Sequence, residues 1–244
     1  HPAAANQHPP LEAQRRTGEL MRPVFERARK ATKAAAETGG VRVAYAEGDD
    51  ERVLRAVQTV VDEGLCKPVL IGKRETILAK AAEMGLRLDF DNRVEILDPS
   101  ADTALFAPLV ERYQGLVSRR GVPPLAAERR VTNRRTVSAS MLLQAGHVDA
   151  ALVGGAGDWW QHMTYVLPII PKRENVGRIY ALSALIIDNG TLFFCDTHVN
   201  VDPTAEQVAE MTLLAAESVR RFGLTPKAAL LSHSSFGASN SPTA

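Results

Sequence analysis

The sequence predicts an α/β fold built on a doubly wound, mostly parallel sheet. Three observations carry that reading. Short apolar runs alternate with segments of helical period between residues 41 and 157, and such alternation implies parallel strands joined by helical crossovers. The runs are apolar throughout rather than at every second residue, as strands are when helices cover both sheet faces. Glycines close most of the helical segments, where a left-handed residue ends a helix.

The elements follow in order. A linker is assigned to residues 1–19, most clearly over HPAAANQHPP, although helical patterning begins at Leu11. Leu20, Met21, Val24, Phe25 and Ala28 form one apolar stripe, and Pro23 suits the first turn of that helix. VRVAYAEG (41–48) reads as a strand, 49–65 as an acidic-fronted helix, KPVLIGK (67–73) as a strand and 74–86 as a helix. RVEILDP (93–99) is a third strand, followed by helices over 102–119, after Pro123-Pro124, and over 134–145. VDAALVGGAG (148–157) is a fourth strand entering a glycine turn. Residues 20–168 are thus read as a first α/β domain and 169–244 as part of a second. In the latter, Asp188-Asn189-Gly190 between apolar runs predicts a hairpin. The stretch 202–224 reads as a helix capped by Asp202 with Pro203 in its first turn, and KAALLS as a closing strand.

Charge and composition exclude several classes. With 29 basic and 28 acidic residues, the net charge of +1 argues against nucleic acid or a membrane surface as main partner. No apolar run reaches the length of a membrane span, and no signal pattern opens the chain, so a cytoplasmic protein is expected. Cys66 and Cys195 lie in apolar surroundings and are expected as buried, reduced thiols.

Four stretches carry candidate chemistry. In EGDDERVL, Asp49 and Asp50 occupy the helix start where a phosphate would sit, so self-capping is expected there. The six arginines of 118–136 suit either a phosphate clamp or the solvated face of two helices; Arg119 and Arg120 are taken as phosphate contacts. LVGGAGDWWQHMTYVL places Gly154, Gly155, Gly157 and Asp158 beyond a strand end, where open α/β sheets bind ligands. His162 is the titratable group there, and Trp159, Trp160 and Tyr165 either stack on a ring or fill a core or interface. In the final loop, Ser232, Ser234, Ser235, Ser239 and Gly237 offer hydroxyls and amides to a phosphate or an acyl carbonyl. His233 beside Ser232 is no dyad, since neighbours on a strand point to opposite faces.

With these stretches, the chain resembles the phosphotransacetylase-like C-terminal region of hybrid NADP-dependent malic enzymes, in the phosphate acetyl/butyryl transferase family. The resemblance rests on MRPVFERARK, AEGDDERVLRAVQTVVDEGLCKPVLIG, DTHVNVDPTAEQVAEMTLLAAESVRRFG and ALLSHSSFGASNSP, from about residue 20 to the end. It implies an isocitrate/isopropylmalate-dehydrogenase-like three-layer α/β/α sandwich of two domains, the second incomplete here, and a homodimer. It further implies a region without catalysis of its own that binds acetyl-CoA and regulates a preceding malic enzyme domain. NADP and a divalent metal would belong to that domain, and no cofactor to this region. The alternative is a phosphate acetyltransferase. Departures from the transferase pattern favour regulation: GDWWQHMTYVLP stands where transferases carry an arginine before the proline, and SHSSFGAS lacks their lysine. The resemblance also implies a chain that continues past the final loop, so 230–244 is expected as half a site and stability as reduced without a covering partner.

Overall fold

In the computed structural model, which describes residues 11–187, 190–231, 234 and 238, the four apolar runs become strands β1 (Arg42–Tyr45), β2 (Lys67–Ile71), β3 (Glu95–Leu97) and β4 (Ala150–Leu152). They pair in parallel in the order β3-β2-β1-β4. Val43 stands opposite Pro68 on one side and Ala150 on the other. The chain therefore steps outward from β1 to β3 and returns to the opposite flank of β1. The strand order reverses between β1 and β4.

Alternate residues of each strand serve opposite faces, and both faces are covered. Ala44, Ala46, Val69, Ile71 and Leu97 pack with helices α4 (Thr103–Val117), α5 (Pro124–Asn133) and α6 (Arg135–Gln144). Tyr45, Leu70 and Ile96 pack with α2 (Glu51–Asp62) and α3 (Arg74–Glu83), through Leu54, Val57, Val61 and Ile77. Burying each such side chain stabilises the fold by about 2 kcal/mol. Local signals agree with this packing. Asp50 caps α2 by accepting the Arg52 N–H at 2.9 Å, and Leu54, Val57 and Val61 recur at helical spacing on its buried side.

The chain divides into two compact units, Arg27–Pro171 and the pair of segments His1–Glu26 and Lys172–Ala244. Helix α1 (Leu11–Ala34) is continuous, so residues 11–19, assigned to a linker, are helical, and Pro23 lies inside the helix rather than in its first turn. Beyond α7 (Trp159–Val166), β5 (Leu182–Ile187) and β6 (Gly190–Cys195) pair antiparallel, with Leu185 opposite Leu192. Helix α8 (Ala205–Arg221) starts later than expected. Thr204, in extended backbone, caps it by accepting the Gln207 N–H at 3.3 Å, and the Gln207 side chain returns to the Thr204 N–H at 3.0 Å. The expected strand from Lys227 does not form within the described residues. Leu230 and Leu231 are exposed, and no described strand lies alongside to accept their backbone hydrogen bonds.

Candidate functional site

A cleft of about 260 Å³ opens in the unit Arg27–Pro171, lined by Glu47, Arg134, Arg135, Thr136, His162 and Tyr165 among others. It lies beyond the carboxyl ends of the strands. Glu47 follows β1, Gly154 and Gly155 follow β4, and Arg135 opens α6. These are the strands that flank the reversal of strand order, where open α/β sheets form their ligand crevices.

One backbone spacing sets up the first side of the site. Gly48 donates its N–H to the Ile71 carbonyl at 3.2 Å. A Cβ at this position would meet the Ile71 backbone N and O at 2.9 Å. That close approach constrains the chain that carries Glu47 and Asp49, on either side. The Glu47 carboxylate accepts the N–H groups of Gly154 at 3.0 Å and Gly155 at 3.3 Å. Asp49 accepts both terminal nitrogens of Arg135, one at 2.8 Å, and Lys80 donates to the Asp49 carbonyl at 2.8 Å. Hydrogen bonds from Arg135 hold the Asp49 carboxyl below the usual carboxylate range, against the effect of burial. The same pair raises Arg135. Arg52 holds Asp50 at about 2 and donates to the Gly155 carbonyl at 2.6 Å.

The glycine turn itself wraps an imidazole. His162 Nε2 lies 2.8 Å from the Ala156 carbonyl, and Nδ1 lies 2.7 Å from the Thr136 hydroxyl. A carbonyl only accepts, so Nε2 carries a proton, while the Thr136 hydroxyl can pair with Nδ1 in either direction. Gly157 has φ +96° and a Cβ there would sit 3.2 Å from His162 Nε2; Gly154, at φ +89°, also faces this ring. Asp158 caps α7 by accepting the Gln161 N–H at 3.0 Å. The guanidinium of Arg134 lies over the Tyr165 ring, 5.9 Å from its centre. Arg134 has no carboxylate partner among the described residues and is the cleft's uncommitted cation.

Of the residues the sequence nominated, Gly157 and His162 line this cleft, Gly154 and Gly155 are tied to it through Glu47, and Asp158 caps the adjoining helix. Arg119 and Arg120 do not line it. They follow the C-terminal end of α4, which begins at the carboxyl end of β3, where Asp102 accepts the Asp98 N–H, and whose Arg112 reaches the Gln144 carbonyl in the last turn of α6. A helix of 15 residues is about 22 Å long, so these two arginines sit at the opposite edge of the sheet. Arg134 and Arg135, at the turn from α5 into α6, stand at the cleft instead. Ser234 belongs to the other unit; Ser232, Ser235, Ser239 and Gly237 lie outside the described residues. Glu47 was missed, although its place just past a strand end was the available signal. Cys66 and Cys195 are free and half-buried, and burial pushes both thiols up, away from a reactive thiolate.

Fold and cleft together define an open α/β domain with a crevice at the carboxyl edge of a parallel sheet. The comparisons narrow this class. The chain belongs to the phosphate acetyl/butaryl transferase family, whose model matches residues 19–244. It is 42% identical over 229 residues to the NAD-dependent malic enzyme of Rhizobium meliloti, covering 94% of this chain and 29% of that protein. The NADP-dependent malic enzyme of Haemophilus influenzae is 40% identical over 226 residues, with coverage of 93% and 29%. Among solved structures, EutD phosphotransacetylase from Staphylococcus aureus superposes with a TM-score of 0.74 at 26% identity, covering 92% of this chain and 64% of that one. The chain is thus the phosphotransacetylase-like region found in malic enzymes and in phosphate acetyltransferases, and it spans 29% of the length of the malic enzymes named.

Proposed function

We propose that this region is a regulatory module that binds acetyl-CoA in the β1–β4 cleft and does not transfer acetyl groups itself. One observation carries the reading. Where transferases of the family place an arginine before a proline, this chain has His162, Met163 or Tyr165, and none of the three is a fixed cation. The imidazole is tied at both nitrogens, and Tyr165 lies under Arg134. Neither supplies the fixed positive charge that would neutralise a phosphate in a transition state. Arg135, the nearest alternative, is neutralised by Asp49. What remains is Arg134 beside polar Asn133 and Gln161, a set suited to holding an anionic ligand.

The similarity to malic enzymes supports a role toward a malate-decarboxylating domain, with the nucleotide and metal bound there. Relatives at 42% and 40% identity differ in nucleotide, one NAD- and one NADP-dependent, so likeness to this region does not single out either nucleotide. The dehydrogenase-like two-domain sandwich, the homodimer and a cytoplasmic setting belong to the same proposal. Among the described residues, no helix is long and apolar enough to cross a membrane.

The test is thermal unfolding with acetyl-CoA, CoA and acetyl phosphate, paired with an assay for acetyl-CoA formation from acetyl phosphate and CoA. A ligand that binds only the folded state raises the midpoint with concentration. A rise specific to acetyl-CoA without turnover is expected. Turnover would instead establish the second reading, a phosphate acetyltransferase, which the likeness to phosphotransacetylases favours.

A further inference from the structure

We infer that the Glu47 carboxylate is an internal ligand of the glycine turn, seated where a phosphate group of a bound molecule goes, and that filling the cleft displaces it. The inference rests on reading the cleft as a ligand site, but not on acetyl-CoA being the ligand.

Geometry comes first. Consecutive backbone N–H groups, those of Gly154 and Gly155, converge on the two Glu47 oxygens at 3.0 and 3.3 Å. Successive amides aimed at one point form an anion cradle. A carboxylate presents two oxygens to it much as a phosphate presents two of its own. Among the described residues, these amides are the hydrogen-bond partners of the Glu47 carboxylate. Position is the second observation. The cradle joins the ends of β1 and β4, the strands at the reversal of strand order, and Glu47 lines the cleft there. Arg134 and Arg135 line the same cleft. Arg135 is held by Asp49, and Arg134 is available to meet an entering anion.

The consequence is competition. A phosphate that reaches the cradle replaces hydrogen bonds already made to an anion, so its affinity is lowered by the bonds it must displace. A group that places no anion at the cradle avoids that cost. The carboxylate thus sets a threshold on which ligands enter and how tightly.

The test uses inorganic phosphate as probe and the fluorescence of Trp159 and Trp160, the only 2 tryptophans, which begin the helix just past the turn. Wild type is compared with Glu47→Gln, Glu47→Asp and the exposed control Glu51→Gln. Glu47→Asp keeps the charge but is one methylene short of the amides. Both Glu47 variants are expected to bind phosphate about tenfold more tightly, with Glu51→Gln within about twofold of wild type. No gain in either Glu47 variant, or a gain in Glu47→Gln alone, overturns the inference; the latter would reflect charge and not occupancy. If a variant fails to fold, wild type decides the matter through the NMR signals of the Gly154 and Gly155 amides. Both should move as phosphate saturates. Signals that stay in place while phosphate binds elsewhere overturn it. Acetyl-CoA is titrated in parallel. Its failure to bind, beside a phosphate gain in the variants, removes the acetyl-CoA reading and leaves the Glu47 inference standing.

Discussion

The unit Arg27–Pro171 and the unit carrying Lys172–Ala244 contain strands of similar apolarity, yet they are held together differently. Among the described residues, every buried apolar side chain except Met211 and Val219 belongs to the first. There, β1 and β2 send alternate residues into two separate apolar clusters, one under each helical layer. In the second, the hairpin β5–β6 is apolar on both faces, but Leu185, Leu192 and Phe194 remain 49%, 48% and 40% exposed. Polar clasps order that unit instead. Asp196 accepts N–H groups from Ala181, Val199 and Asn200, Glu210 accepts from Gly177 and Tyr180, and Glu217 pairs with Arg173. Apolar composition makes a core only where a layer lies on each side, and a two-stranded sheet with α8 and the first part of α1 does not bury it here.

The largest effect expected from this comparison comes from Leu70, fully buried in β2. Leu70→Ala should cost about 3 kcal/mol, measured by urea unfolding followed through the tryptophans, both in the first unit. Met211→Ala should leave that transition in place, and an equal shift would break the distinction between the units. Next is the Asp49–Arg135 pair. Arg135→Ala should cost about 1.5 kcal/mol at neutral pH, a partly exposed pair being worth less than a buried one. Asp49 is depressed in the folded state, so the pair stabilises fully above the ordinary carboxyl value of 3.8 and fades as pH falls through the lower folded value. The gap between wild type and variant should therefore close in acid below that point.

Smaller effects sharpen the picture of the second unit. Thr204→Ala removes the α8 cap and should cost about 1 kcal/mol, visible as faster amide exchange in the first turn of α8. The smallest change is expected from Leu185→Thr, within about 0.5 kcal/mol. A cost above about 1.5 kcal/mol would mean that this hairpin face is covered in solution and would erase the contrast.

Much of the first unit was legible because period and punctuation agree there. The strands β1, β2 and β4 each end near a glycine, and α2 and α7 open on their own side-chain caps, Asp50 and Asp158. The site was only half legible. The glycine turn could be read from composition, but its partners could not, since Glu47 and Thr136 reach it across the sheet from elsewhere in the sequence. Arg119 and Arg120 are not among the residues lining this cleft, for a related reason. The ten residues of α5 run between the two arginine pairs, so Arg119 and Arg120 precede the helix whose far end brings Arg134 and Arg135 to the cleft. At α8 the error was local. Asp202 and Thr204 are both competent caps, and backbone conformation decided for Thr204.

Gly48 has a consequence for genetics. It has no side chain, yet its closeness to the Ile71 backbone constrains the chain that carries both Glu47 and Asp49. In a saturation scan scored on ligand binding, position 48 would group with the cleft residues. A substitution there moves two carboxylates at once while altering no functional group, so a phenotype that looks chemical would have a purely steric origin.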